Sequence, residues 1–231
     1  MLLTDYEIAA LTLSLKVAVS AVVCSLPLGI LVAWILARCQ FAGKSLLDGI
    51  IHLPLVLPPV VVGYLLLVSM GRSGWLGGWL YQHLGLSFSF SWRGAALATA
   101  VVAFPLMVRA IRQAFEAVDT RLEQAARTLG ASKLRVFFTI SLPLTGPGIV
   151  SGMVLAFARC LGEFGATITF VSNIPGETRT IPLAMYSFIE TPGAEAQAGR
   201  LCVIAIVISL LSLVASQWLS KRVQLRASGQ C

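Results

Sequence analysis

The sequence predicts an all-α membrane protein with about five transmembrane helices. Of its 231 residues, 57% are hydrophobic and only 12% are charged, and the mean hydropathy is +0.86. A helix needs ~20 mostly apolar residues to cross a bilayer. Five stretches meet this requirement, at about 9–36, 49–70, 94–111, 146–171 and 200–219. No low-complexity stretch or soluble second domain interrupts them, so residues 1–231 are predicted to form one membrane domain.

Basic residues in the connecting segments predict the orientation of these helices, because cytoplasmic loops carry an excess of Lys and Arg. One side of the predicted membrane domain would carry Arg38, Lys44, Arg109, Arg112, Arg121, Arg127, Lys133, Arg135, Lys221, Arg222 and Arg226. The other side would carry only Arg72, Arg93, Arg179 and Arg200. We therefore expect the N-terminus to lie outside and the C-terminus inside.

The charge and cysteine content narrow the possible partners. The net charge is +7, but the cations flank apolar spans, which is typical of membrane proteins rather than of nucleic-acid-binding proteins. The five cysteines are scattered without paired spacing, so neither a disulfide framework nor a metal site is expected. Because the spans are apolar, contact with membrane lipid is expected.

A polar and basic stretch at residues 120–143 separates the third and fourth spans and would be cytoplasmic. Its sequence, TRLEQAARTLGASKLRVFFTISLP, predicts a helix, a turn and a second helix. In the first helix, Leu122, Ala125, Ala126 and Leu129 follow the i, i+3, i+4, i+7 pattern of one apolar face. Such a face predicts a packing partner.

The ends of these two short helices carry local signals. Thr120 and Glu123 have the spacing of a capping box, and Gly130 can adopt the left-handed conformation that ends a helix. Ser132 can cap the second helix. That helix is predicted to place three apolar side chains on one face: Leu134, Phe137 and Phe138.

Two of the predicted spans contain features that are unusual inside a membrane. Pro54 and Pro58 interrupt span two, and broken helices are tolerated at membrane depth only where they face protein or a water-filled cavity. In span four, Arg159 and Glu163 stand four residues apart and are predicted to pair on one helix face. Intramembrane charges usually face a bundle interior or a cavity. Both features are candidates for a translocation path, and the alternative is a purely structural role in helix packing.

Catalytic motifs are missing from the sequence. Gly43-Lys44-Ser45 resembles the end of a phosphate-binding loop, but Arg38 occupies the position of its upstream glycine. No nucleophile elbow or cluster of metal ligands occurs either. We therefore expect a transport subunit rather than an enzyme, with no cofactor of its own.

The stretch at 120–143 resembles the cytoplasmic coupling loop of ABC importer permeases, which reads Glu-Ala-Ala, then Gly, then Ile-x-Leu-Pro at fixed spacing. The matching residues are Ala125, Ala126, Gly130, Ile140, Leu142 and Pro143. The family's usual acid falls on Gln124, and the acid of this chain, Glu123, lies one residue earlier. Which of these two residues contacts the ATPase is left open by the sequence.

Two further stretches, HLPLVLPPVVVGYLLL and RCLGEFGATITFVSNIPGETRTIP, are similar to the permease subunits of molybdate ABC importers, with sulfate and tungstate permeases as relatives. This resemblance implies a bacterial inner-membrane homodimer, a cytoplasmic ATPase dimer that binds ATP, and a periplasmic oxyanion-binding protein. It also implies alternating access driven by ATP. A passive anion channel and a membrane anchor are the alternatives from other classes.

Overall fold

The computed structural model describes residues 4–227, apart from the side chains of 216, 217 and 219–227, and these residues are almost entirely helical. The tail cations Lys221, Arg222 and Arg226 have their side chains outside this described part. Phe137–Ser141 forms a π-helical turn. The α-helices are α1 (Asp5–Arg38), α2 (Lys44–Val56), α3 (Pro59–Met70), α4 (Trp75–Leu84), α5 (Trp92–Ala117), α6 (Thr120–Thr128), α7 (Lys133–Val136), α8 (Leu142–Leu144), α9 (Gly146–Leu161), α10 (Gly165–Val171), α11 (Ile181–Ile189) and α12 (Glu195–Ala227).

Helix α5 is the centre of the bundle and packs against α1 and α9. Its Met107, Ile111 and Phe115 are fully buried in one apolar cluster with small residues of the neighbouring helices. Ala18 of α1 and Ala156 of α9 belong to that cluster. Small residues let helix backbones approach closely, which is how helices pack where lipid removes the hydrophobic driving force.

Three described helices are long and apolar enough to cross a membrane without interruption: Asp5–Arg38, Trp92–Ala117 and Glu195–Ala215. Two further pairs pass the same test only together, because each is bent at a short break. Lys44–Val56 and Pro59–Met70 meet at 112°, and Lys133–Leu144 and Gly146–Leu161 meet at 65°. By length and composition, the described chain therefore has three spans, or up to five if each bent pair counts as one.

The second predicted span, 49–70, is not a continuous helix. Leu57 and Pro58 are extended, with ψ values of 142° and 134°, because each precedes a proline that disfavours the helical conformation. Pro59 then begins α3. Proline lacks a backbone N–H, but at the first position of a helix that N–H has no hydrogen-bond partner within the helix. The halves contain 13 and 12 residues, so each is about 20 Å long or shorter, less than the ~30 Å of a hydrocarbon core.

The fourth predicted span, 146–171, is also broken. Helix α9 ends at Leu161, and α10 begins only at Gly165. Gly162 has φ −94° and ψ 5°, outside the helical values, and so ends the first half. The apolar content of the stretch predicted one helix, and the break lies where two glycines flank an acid.

Polar contacts identify the two ends of the bundle. At one end, Arg200 of α12 donates a 2.9 Å hydrogen bond to the buried carboxylate of Glu7 in α1. At the opposite end of α1, Arg38 contacts Glu123 of α6. Arg38, one of the cations predicted to be cytoplasmic, thus lies at the same end of the bundle as the stretch at 120–143.

Candidate functional site

The helix-turn-helix at residues 120–143, called the coupling segment below, is capped differently from the prediction. Asp119, not Thr120, is the N-cap of α6, and its carboxylate accepts a 2.9 Å hydrogen bond from the Arg121 backbone N–H. The predicted capping box of Thr120 and Glu123 is therefore wrong, because the Glu123 carboxylate is held by other groups.

The turn and the second helix of the coupling segment follow the sequence signals. Gly130 has φ +87°, in the left-handed region that a glycine adopts without strain. The Ser132 hydroxyl accepts a 3.3 Å hydrogen bond from the Arg135 N–H, as predicted for a helix cap. The two short helices are consequently held at a fixed turn.

Several apolar side chains of the coupling segment are exposed. Leu122 is 50% exposed and Leu129 89% exposed, and Ala125 between them is exposed as well. In the second half, Leu134 and Phe138 are 73% and 61% exposed. The face predicted from the first helix therefore exists, but nothing in the described chain covers it.

Other residues of the segment point inward, which corrects two predictions. Ala126 is partly buried and so does not share the exposed face of Leu122 and Leu129. Phe137, at the start of the π-helical turn, is partly buried, unlike the exposed Leu134 and Phe138, although its ring still contacts that of Phe138 at 5.0 Å between centroids. Its ring lies 5.5 Å from Trp34 of α1 and 6.2 Å from Phe115 of α5, between ring centroids.

Glu123 connects the coupling segment to the rest of the bundle. Its Oε1 atom accepts hydrogen bonds from Arg38 Nη2 at 2.9 Å, Arg38 Nε at 3.1 Å and Ser141 Oγ at 2.9 Å. Arg38 Nη2 also donates to the Val118 carbonyl at 3.0 Å. The side chains of Arg38 and Glu123 are only 14% and 18% exposed, so this ion pair is largely shielded from water. Glu123 is therefore an internal joint between α1, α6 and the π-helical turn.

The remaining motif residues divide into an outer and an inner set. Gln124, Ala125, Gly130 and Pro143 are exposed, whereas Ile140 and Leu142 are partly buried. Arg38 and Ser141 were not predicted as site residues. Ser141 lies inside the motif, but Arg38 precedes Glu123 by 85 residues, and only its position as the last residue of α1 marks it.

The candidate path residues Arg159 and Glu163 form an ion pair at the break between α9 and α10. Arg159 Nη1 lies 2.7 Å from Glu163 Oε2. Glu163 lies beyond the end of α9, so the predicted shared helix face is wrong although the predicted pair forms. Its other oxygen accepts a 2.8 Å hydrogen bond from the Ala166 N–H at the start of α10. The Glu163 side chain is 2% exposed and that of Arg159 is 31% exposed.

The two helix breaks lie next to each other. A Cβ atom added to Gly63 of α3 would lie 2.6 Å from the Ala166 carbonyl oxygen, and one added to Gly165 would lie 2.9 Å from Pro59 Cβ. Half-helices α3 and α10 therefore pack backbone to backbone. This contact places Pro59, at the start of α3, beside Gly165, which lies two residues after Glu163.

The other two path candidates lie apart from this contact. Pro58, immediately before α3, is exposed. Pro54 is inside α2 and lines a separate groove of about 370 Å³ between α1, α2 and α5. Within the described residues, no group of three or more His, Cys, Asp or Glu residues could hold a metal ion.

The chain is similar along most of its length to known transport proteins. It is 70% identical over 218 residues, 94% of this chain and 95% of the relative, to the molybdenum transport system permease protein of Haemophilus influenzae. It is 68% identical over 221 residues, 96% of each chain, to the protein of the same name from Escherichia coli K12. The fold matches a chain in the crystal structure of a bacterial alginate ABC transporter with a TM-score of 0.75, at 18% identity, covering 96% of this chain and 80% of that one.

A family model described as "binding-protein-dependent transport system inner membrane component" matches residues 25–226. The match includes the coupling segment, both helix breaks and most of the bundle core. The chain therefore belongs to the family of inner membrane components of binding-protein-dependent transport systems.

Proposed function

We propose that this chain is the membrane-spanning permease subunit of an ABC importer that moves molybdate into the cell. The observation that carries the proposal is the 70% identity to a molybdenum transport permease over 94% of the chain. The described structure adds a coupling segment with an uncovered apolar face and two broken helices that meet inside the bundle. A membrane anchor would need neither feature.

The proposed assembly contains two copies of this chain, a cytoplasmic ATPase dimer and a periplasmic oxyanion-binding protein. Each copy would cross the membrane five times, with its N-terminus outside and its C-terminus inside. ATP would be bound by the ATPase, since this chain has no phosphate-binding loop. The exposed side chains of Leu122, Leu129, Leu134 and Phe138 support docking of a protein on the coupling segment, because contiguous exposed apolar residues mark interaction surfaces.

Within this assembly, Gln124 and Glu123 would have different tasks. Gln124 is exposed and occupies the position of the family's acid, so it would contact the ATPase together with Ala125. Glu123 would transmit the motion of α6, because its carboxylate binds Arg38 of α1 and Ser141 of the π-helical turn. Closure of the ATPase dimer would then move α1 and α9 together with the coupling segment.

The proposed path includes the paired breaks and their charged residues Arg159 and Glu163, with Pro54 and Pro58 on the broken second span. Import of a dianion against a potential of ~100 mV costs about 4.6 kcal/mol, at ~2.3 kcal/mol per charge, which explains the need for ATP. Arg159 is partly exposed and can attract an anion, while the buried Glu163 neutralises most of its charge. Weak attraction of this kind permits release, as transport requires.

Uptake of labelled molybdate by cells with and without the chain tests the proposal, with excess tungstate or sulfate as competitor. Loss of uptake on deletion, with competition by tungstate and little by sulfate, is the expected result. Full competition by sulfate would instead make the chain a sulfate permease. Anion flux that persists without any ATPase would identify a passive channel and contradict the proposal.

A further inference from the structure

We infer that the coupling segment recognises a groove that is lined with carboxylates on the ATPase, and that Arg127 and Lys133 are the cations that bind them. This inference rests on the proposed function, which supplies the ATPase as the partner. It goes further by assigning the chemical character of the partner's groove and the residues that read it.

The exposed charge of the coupling segment is entirely positive. Glu123 is the only acidic residue between 120 and 143, and its carboxylate is already bound to Arg38 and Ser141. The cations of the segment are all exposed, and none has a side-chain hydrogen bond or ion pair with any residue described in the structure: Arg121, Arg127, Lys133 and Arg135. A binding partner that approaches this surface therefore meets an excess of cations, because the exposed acid next to them, Asp119, caps the start of α6 and the Glu123 carboxylate is engaged by Arg38.

Two of these cations border the same pocket. Arg127 near the end of α6 and Lys133 at the start of α7 line a cavity of about 330 Å³, whose wall also includes the mutually neutralising pair Arg38 and Glu123. Gly130 makes the turn that brings the two helices together. An acidic side chain entering this cavity would lie near both cations, and charge-assisted hydrogen bonds of this kind are stronger than neutral ones.

Exposed apolar side chains lie close to the cations in the sequence of the coupling segment. Leu129 lies two residues after Arg127, and Leu134 directly follows Lys133. Both leucines are largely exposed, at 89% and 73%. A protein groove can cover these leucines and supply carboxylates at once. In such interfaces apolar burial provides affinity, and charge complementarity fixes register and specificity.

Charge reversal at the two cations tests the inference on the full-length chain in nanodiscs of zwitterionic lipid. The ATPase that copurifies with the unaltered chain serves as the probe, and its binding is measured over a range of salt concentrations. We expect Arg127→Glu with Lys133→Glu to weaken binding at least about tenfold, and the unaltered pair to weaken as salt rises. The charge-preserving pair Arg127→Lys with Lys133→Arg should bind as the unaltered chain does.

Lys44→Glu is the matched control, because it reverses one cation on the same side of the protein at the start of α2, outside the coupling segment. It should leave binding unchanged. Salt-independent binding, or equal binding by the reversed pair, would overturn the inference and leave the proposed function standing. An effect of reversal that appears only in anionic lipid would assign the cations to headgroups and would also overturn it. If no ATPase copurifies with the unaltered chain, the proposed function itself fails.

Discussion

Arg38 and Glu123 form a 2.9 Å ion pair across 85 residues of sequence, joining the last residue of α1 to the first helix of the coupling segment. The pair is largely shielded from water, and Ser141 donates to the same carboxylate oxygen. A movement imposed on α6 is thereby carried to α1 and to the segment that leads into α9. Glu123 thus connects α6 to α1 and to the π-helical turn, whereas the exposed residues around it form the docking surface.

Glu123→Gln should uncouple ATP hydrolysis from uptake. The amide keeps the shape of the side chain but removes the charge that binds Arg38, and hydrogen bonds to charged groups contribute about 1.5–3 kcal/mol each. We expect ATPase binding to persist while uptake per ATP hydrolysed falls several-fold. Transport assays in proteoliposomes, with hydrolysis measured in parallel, give this ratio.

The matched control for Glu123→Gln is Gln124→Glu, the exposed neighbour that would regain the family's acid. It leaves the Arg38 pair intact, so the uptake per ATP should remain near that of the unaltered chain. A second check is Arg38→Gln, whose effect should not add to that of Glu123→Gln, because both variants break the same pair. Additive effects would show that Glu123 acts through another contact.

Gly130→Leu should impair coupling through backbone strain alone. Gly130 has φ +87°, and a Cβ added there would meet nothing within 4 Å, so no side-chain clash contributes. The left-handed conformation costs a residue with a β-carbon about 1–2 kcal/mol. We expect weaker copurification of the ATPase and lower uptake.

Gly130→Asn tests whether the loss of activity in Gly130→Leu comes from backbone strain or from the absence of glycine at this surface. Asparagine tolerates the left-handed region better than leucine, so this variant should recover much of the activity lost in Gly130→Leu. Equal loss in both variants would mean that the turn serves a contact at this surface rather than a conformation. Full activity of the leucine variant would contradict the proposed role of the turn.

Gly63→Ala should destabilise the contact between the two half-helices α3 and α10. The added Cβ would lie 2.6 Å from the Ala166 carbonyl and 2.9 Å from Thr169 Cβ, so the helices must separate. Overpacking of this kind costs about 1–3 kcal/mol. Thermal unfolding in detergent should show a lower midpoint. Gly199→Ala in α12, where nothing lies within 4 Å, is the control and should not lower it.

The sequence predicted those features of the structure that depend on neighbouring residues. The turn at Gly130 and the cap at Ser132 have local causes, since one needs a left-handed residue and the other a hydroxyl before a helix. The all-helical class followed from the length of the apolar stretches. The spacing of Thr120 and Glu123 favours a capping box, and therefore Thr120 as the N-cap of α6. That prediction is wrong because the Glu123 carboxylate binds Arg38, and no local pattern connects these two residues.

The breaks in the second and fourth spans likewise depend on more than the local sequence. Pro58 indicated an interruption, but hydropathy over 49–70 is insensitive to the 112° bend that results. Gly162 and Gly165 lie at the second break, but glycine is common inside membrane helices and so does not by itself predict one. What makes the second break stable is tertiary: Glu163 binds both Arg159 and the free N–H of Ala166, so the interrupted backbone is compensated.

Arg159 and Glu163 should respond in opposite ways to neutralisation if they line the path. Arg159→Gln removes the attracting cation, so the concentration of molybdate needed for half-maximal uptake should rise. Glu163→Gln keeps an oxygen that can accept from Ala166 but no longer neutralises Arg159, so anions should bind more tightly and leave more slowly. Half-maximal uptake should then occur at lower molybdate, while maximal uptake also falls. Binding of the ATPase should be retained in both variants, and identical changes in the two would show that the pair only holds α9 and α10 together.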